Sequence, residues 1–302
     1  MPVLSSFSRQ VSYSSRTGKS ALPTGVIVTR TTKPPKVAAT KVRAAPPQPV
    51  PPYGTPEWIA YRKAAIARTS CFMDYGDPTA AVGHAYGVRQ SSRLTRDFRN
   101  TYRKLAMDIT PQPVIEVLIK AGVKKWVLMG LHGYVGYMAM PRATQDVDIL
   151  IAMREKKKAV DAIKAAWPTL LVEEFPVVIR FRDPNDLGAD GQPKPTIDLM
   201  LPYYEYQKTI LKSYVIRDEE TQHAIPRIEA ALVAKYAAMM SDERARDKKE
   251  QDSSDFRRIT RPNMSRIDIP KLRFLAEEFW VGAGDDIVRF LDLAVRDEAF
   301  PI

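Results

Sequence analysis

Cysteine is nearly missing from these 302 residues, and histidine is scarce: there is one of the first, Cys71, and three of the second. One thiol cannot close an internal disulfide, and the two residue types never gather at zinc-ligand spacing. A reducing compartment, the cytoplasm, is the simpler setting for such a chain. Neither a Ser/His nor a Cys/His nucleophile signature is present, which leaves covalent catalysis of the protease type without support. Long apolar runs are lacking as well. The longest charge-free stretch, Trp126 to Pro141, is too short for a bilayer and is broken by Gly130, His132, Gly133 and Gly136, so no membrane span is expected.

Acid is also absent from one region. Residues 1–55 hold eight basic side chains (Arg9, Arg16, Lys19, Arg30, Lys33, Lys36, Lys41, Arg43) and no Asp or Glu. Of the net charge of +11, +8 therefore sits there, leaving 38 basic against 35 acidic residues in the rest. That asymmetry describes a basic tail on a nearly neutral globule rather than a basic domain. The tail is rich in Ser, Thr and Pro, and its few large apolar residues cannot offset the entropy of ordering it, so disorder is expected, with a semi-rigid polyproline spacer near its end. A solvated tail, an organelle transit peptide and phosphate attraction to RNA are the three roles open to it.

From Thr55 the pattern is helical, with Thr55 as N-cap and Pro56 at the first helical position. A second helical stretch up to Met107 carries a strongly basic face, read either as solvated surface or as an RNA contact. Between Pro111 and Leu201 helix and strand alternate: a helix closed by Gly122, a strand through Trp126, a small-residue helix from Gly130, a strand Gln145–Ala152, a helix through Lys156–Lys158, then two strand-like runs around a Gly/Pro/Asp-rich turn. Beyond Tyr203 four helical patterns follow. The layout is α+β, a mixed sheet with packed helices followed by a C-terminal helical bundle, with boundaries expected at 1–55, 56–110, 111–202 and 203–302.

Chemistry concentrates in the strand of Asp146 and Asp148. Residues two apart project from one face, so the two carboxylates sit together while Val147 and Ile149 point to the core. Like charges side by side call for a cation, and hard oxygens suit Mg²⁺ or Mn²⁺. A third acid, Asp198, stands in a similarly apolar strand. Three such carboxylates suit two-metal phosphoryl transfer, with Asp146 and Asp148 as metal ligands and Asp198 as a further ligand or the base nearest the acceptor hydroxyl. Gly130 either faces a triphosphate or merely permits a tight strand-to-helix turn. Arg142 offers a phosphate fork or pairs with one of these acids, and Thr144 places a hydroxyl near them.

These residues resemble a known family. An apolar strand, a glycine turn, a short helix and then Arg142-x-Thr144-x-Asp146-x-Asp148 is similar to the first motif of the minimal nucleotidyltransferases, the AbiEii toxin type within the polymerase-β-like superfamily. Asp198 resembles the lone acid of the second motif, Lys235 the motif lysine near the phosphates, and Asp252 with Asp255 the Asp-x-x-Asp of the fourth. The resemblance covers residues 112–260. It departs at Leu131, where the family has a second small residue after Gly130, and at Glu250, where an Asp is usual. It implies a nucleotidyltransferase fold and transfer of a nucleoside monophosphate from a nucleoside triphosphate, with Mg²⁺ (or Mn²⁺), to a hydroxyl. The acceptors it implies are a tRNA end, a protein side chain or a small molecule, and a cognate antitoxin is an implied partner. Lys235 has a solvated lysine as its plain alternative, and Asp252 a helix anchor that caps or pairs with Arg244 or Arg246. His132 divides between a satisfied helix histidine and a site residue; Tyr134 and Tyr137 read as core packing. Two non-enzymatic rivals remain: a nucleotide sensor or antitoxin-like protein on this fold, and a basic nucleic-acid-binding protein whose acids are incidental.

Overall fold

The computed structural model of the chain describes residues 51–52, 55–61, 81–139, 142–218 and 222–302. The tail through residue 50, with the expectations attached to it, lies outside the described residues, as does the stretch 62–80. The Thr55 hydroxyl accepts the Trp58 N–H at 3.1 Å and residues 56–61 are helical, so the expected cap is in place.

Helix α1 (Ala81–Tyr102) is followed by α2 (Pro111–Lys120), which closes as its composition requires: Gly122 takes φ +70° and the Val123 N–H reaches back to the Leu118 carbonyl at 3.0 Å. Then come β1 (Trp126–Leu128), α3 (Gly130–Tyr134), β2 (Val147–Ile151), α4 (Lys156–Ala166), β3 (Leu171–Glu174), β4 (Val178–Leu187) and β5 (Pro193–Met200). The five strands form one sheet in the order β1-β2-β5-β4-β3, parallel at β2/β5 and antiparallel elsewhere. The mixed α+β layout expected from the periodicity is the one observed. Two details differ. The Gly/Pro/Asp-rich turn is mostly absorbed into a long β4–β5 hairpin with register shifts at Phe181/Arg182 and Asp183/Leu187, and a small β6 (Val215–Arg217)/β7 (Ala224–Pro226) ribbon forms in the part expected to be mostly helical.

Strand alternation divides the core. Val147, Ile149, Ile151, Ile197 and Leu199 point to the back of the sheet, where they pack with Val114, Ile115 and Leu118 of α2 and Ala159, Val160 and Ile163 of α4. Leu150 and Val127 face the front, into a second cluster built from α5 (Glu205–Ser213), α6 (Ile228–Met240), α7 (Arg246–Asn263), α8 (Ile269–Glu277) and α9 (Ala283–Arg296). Helix α6 is apolar on nearly every side and is the central post of this bundle: Ala230, Ala231, Leu232, Val233 and Tyr236 have no exposed surface. The front face of the sheet therefore has two parts, an apolar end under α6 and a polar end at the start of β2 and β5. Among the described residues no helix is long and apolar enough to cross a membrane.

Candidate active site

Parallel pairing places Asp148 directly beside Asp198. Both side chains belong to the front face, because their neighbours Val147, Ile149, Ile197 and Leu199 are buried at the back. Asp146 stands two residues earlier, on the same side. Burial, followed by the charges of Asp146 and Asp198, raises the Asp148 carboxyl well above the ordinary carboxylate range. The charges of Asp146 and Asp198 thus reach Asp148. Their partners differ. Asp146 accepts from the Thr144 hydroxyl at 2.9 Å. Asp198 lies in the guanidinium fork of Arg180, a neighbour across the β4/β5 pair, with contacts of 3.1, 3.3 and 3.1 Å. Burial still outweighs that fork and leaves Asp198 above its usual range.

Gly130 follows β1, whose hydrogen bonding to β2 ends as the Met129 N–H meets the Asp148 carbonyl at 2.8 Å. It turns the chain with φ +58°, and a Cβ there would fall 1.8 Å from Asp148 Oδ2. The turn and the close approach both require glycine. Leu131 is buried in the front core, with 3% of its surface exposed, and so packs inward.

Arg142 bonds neither Asp146 nor Asp148. Its guanidinium forks onto Asp255 at 3.0 and 2.7 Å. The Lys235 ammonium joins the same carboxylate and Asp252, at 2.8 Å each, and lies 5.8 Å from the centre of the Tyr134 ring. Arg244 completes the group at 2.6 Å from Asp252, so the pairing considered for that acid is present. Burial pushes Asp255 upward, but the Arg142 bonds and the Lys235 charge outweigh it and hold its carboxyl below the ordinary range. The Lys235 side chain is 10% exposed, which rules out the solvated reading. Three cations face two carboxylates, so the network keeps one positive charge in excess beside the acids. His132 is a satisfied histidine: its Nδ1 and the Ser91 hydroxyl are 2.8 Å apart, and burial lowers its pKa to about 3. Tyr134 and Tyr137 are buried at 2% exposure each, as packing residues, although the Tyr134 hydroxyl also lies near Asp148.

The front face continues from the acids into a cleft of about 510 Å³. Leu150 and Met200, two residues beyond Asp148 and Asp198, form its floor, Met129 and Ala234 adjoin Gly130 and Lys235, and Tyr204, Tyr206, Phe279 and Trp280 form its wall. The rings pack closely, with Tyr204 and Phe279 centroids 5.5 Å apart and Phe279 and Trp280 stacked at 5.0 Å. Gln207, Ser241, Asp242 and Glu243 line the same cleft, so aromatic surface and polar, acidic groups share it. Sequence reasoning missed Arg180 and this aromatic wall; the alternation of Arg180 with Ile179 and Phe181 was a signal for the first, and nothing local pointed to the second.

Among the described residues no three His, Cys, Asp or Glu side chains are gathered closely enough to hold a metal ion by themselves. Magnesium in nucleotide sites is commonly held by one or two carboxylates and completed by phosphates and water. Asp146 and Asp148 are adjacent oxygen donors, the charge of the first opposing ionisation of the second, and they fit that requirement, whereas Asp198 is engaged by Arg180.

No protein-family model matches the sequence, and no curated protein matches it. Among solved structures, an antigenic nucleotidyltransferase-like protein from Paracoccidioides brasiliensis is similar over 60% of this chain and 89% of its own, with 14% identity and a TM-score of 0.35. Terminal uridylyl transferase 4 from Trypanosoma brucei, solved with bound GTP, is similar over 70% of this chain and 74% of its own, with 13% identity and a TM-score of 0.26. Likenesses this low carry no argument about activity, and the functional reading rests on the site.

Proposed function

We propose that the chain is a nucleotidyltransferase that uses Mg²⁺ or Mn²⁺ to move a nucleoside monophosphate from a nucleoside triphosphate to a hydroxyl acceptor. The observation that carries the reading is the convergence of Asp146, Asp148 and Asp198 on one sheet face against Gly130. Asp146 and Asp148 would hold the metal, with Thr144 fixing the orientation of Asp146. The metal, when bound, offsets charge on the triphosphate and on the departing pyrophosphate. Lys235, Arg142 and Arg244 add the excess positive charge of their network on the same side. The nucleoside lies against the aromatic wall of the cleft. The acceptor oxygen attacks the α-phosphorus, the bond to the bridging oxygen of pyrophosphate breaks, and Asp198 takes the acceptor proton on a carboxylate oxygen that Arg180 keeps in place.

The test is transfer of labelled nucleotide in Mg²⁺ with each of the four triphosphates. Asp148→Asn is expected to lower the rate more than about 100-fold, since a charge-neutralising ligand is lost. Undiminished transfer would refute the mechanism. One observation favours a second reading: the Arg180 fork on Asp198 suits a protein that binds nucleotide and turns it over poorly, as a sensor or antitoxin-like partner. Calorimetric binding without pyrophosphate release would select it. Within the enzymatic reading a tRNA end, a protein side chain and a small molecule are all acceptors for assay, RNA being favoured by the basic tail. A cognate antitoxin belongs to the toxin form of the same proposal.

A further inference from the structure

We infer that α1, far ahead of the acid motif in sequence, is a working part of the site: Thr95 and Arg99 are positioning residues that set the segment carrying Arg142, Thr144 and Asp146. Residues 142–146 belong to no helix or strand, so their backbone polar groups need partners from elsewhere in the fold. Helix α1 supplies them. The Thr95 hydroxyl donates to the Thr144 carbonyl at 2.6 Å and accepts the Thr144 N–H at 3.2 Å, so one side chain satisfies both backbone groups of that residue. The Arg99 guanidinium donates to the carbonyl of Gln145, the residue just before Asp146, and is itself anchored by the carbonyls of Met107 at 2.8 Å and Ile109 at 3.0 Å.

Simple docking of a helix does not require this arrangement. Thr95 and Arg99 are 2% and 3% exposed, and burying a guanidinium is costly unless its donors find partners. Apolar side chains at both positions would seat α1 on the sheet at lower cost. They would also leave the Thr144 and Gln145 carbonyls without partners and the segment free to move. The connection extends to the acid, because the hydroxyl of the Thr144 so held donates to Asp146. On the other side of the site the Ser91 hydroxyl of α1 meets His132, two residues beyond Gly130. One helix therefore ties the acid segment and the glycine turn to a common reference. This also accounts for part of the basic face of α1: Arg99 points inward, while Arg96 and Arg103 pair with Asp108 and Asp186 at 2.6 Å each.

The kinetic half of this inference rests on the nucleotidyltransferase reading; the positional half does not. The full-length protein is compared as wild type, Thr95→Val, Thr95→Ser and Arg99→Lys, by amide hydrogen exchange and by transfer kinetics. Thr95→Val is expected to raise exchange across 142–148 by about 10-fold or more while β4 and α9 keep their protection. Its kcat is expected to fall about 10- to 100-fold with KM for the triphosphate nearly unchanged, because misplacement of Asp146 acts on the reacting geometry. Thr95→Ser, which keeps the hydroxyl, is expected to restore both. Wild-type exchange at 142–148 in Thr95→Val, or failure of Thr95→Ser to restore it, overturns the assignment. Should Thr95→Val fail to fold, Arg99→Lys, which lacks the fork, decides: loosened exchange at 145–147 supports the inference, and unchanged exchange there overturns it. A wild type that transfers no nucleotide removes the enzymatic reading alone, since the exchange measurement still decides the positional role.

Discussion

Two glycines at opposite ends of β1 separate backbone strain from site geometry. Gly122 and Gly130 both take positive φ, +70° and +58°, but a Cβ at Gly122 meets nothing within 4 Å, whereas one at Gly130 collides with the Asp148 carboxylate. Gly122→Ala should cost about 1 kcal/mol of stability and leave activity intact, since only the left-handed conformation opposes it. Gly130→Ala adds the collision, which cannot be relieved without moving an acid, so transfer should be abolished along with a larger fall in Tm. Thermal melts and transfer assays of the pair check both. Asp255 poses the complementary question. It shares its two oxygens between Arg142 and Lys235 at 1% exposure, so Asp255→Ala leaves two cations without their common partner and should destabilise by about 3–5 kcal/mol. Lys235→Met leaves Asp255 with Arg142 and Asp252 with Arg244; its stability loss should be smaller and its effect on nucleotide affinity larger. Equal losses of stability in the two variants, measured by denaturant titration, would contradict the hub role of Asp255.

At the scale of elements, α1 and α3 meet the core through histidines kept neutral. Burial lowers both His84 and His132 to about 3; the His223 charge acts against protonated His84, and those of Arg99 and Arg142 act against protonated His132, while Asp218 pulls His84 slightly the other way. An unfolded chain takes up these protons near 6.5. Their contribution to stability is therefore complete above pH 6.5 and is lost as pH falls from there toward 3, by about 2 kcal/mol for each histidine at pH 5. Melting temperature against pH should drop across that window, and His84→Gln should flatten the drop. A midpoint independent of pH between 7 and 5 would contradict it. The acid loss is expected first in amide protection of α1, because both imidazoles pack against that helix or belong to it.

For the whole molecule the charge distribution matters more than its sum. Eight of the eleven net positive charges fall within residues 1–55. If the acceptor is RNA, deleting residues 1–49, which hold all eight, should weaken binding and lower the slope of log affinity against log salt by roughly 0.7 for each phosphate the tail had neutralised, while the Tm of the unit Val50–Ile302 stays where it was. Filter binding at several salt concentrations provides the measurement, and a slope indifferent to the deletion would remove the tail from the proposal. The folded unit itself joins sheet and helical bundle through one front cluster, in which Val127 and Leu150 pack with α6. Substitution at the α6 face, for instance Leu232→Ala at 0% exposure, is therefore expected to cost about 2–5 kcal/mol and to loosen the bundle and β1 together.

Alternation and spacing along the chain were enough to determine the α+β layout, the Thr55 and Gly122 helix ends and the common face of Asp146 and Asp148. Each of these depends on residues within a few positions of one another, where side-chain direction follows from backbone period alone. The common face of Asp198 and Asp148 was an expectation that needed the parallel β2/β5 pairing to become a fact. The choice of partner had no local trace. That Arg142 turns away from the acids to Asp255, 113 residues on, that Arg180 occupies Asp198, and that Thr95 and Arg99 hold the acid segment were decided only by tertiary structure. The physical reason is that a charged or hydroxyl side chain has several acceptable partners, and the one it takes is the one that packing brings within hydrogen-bond reach once burial has removed water as a competitor.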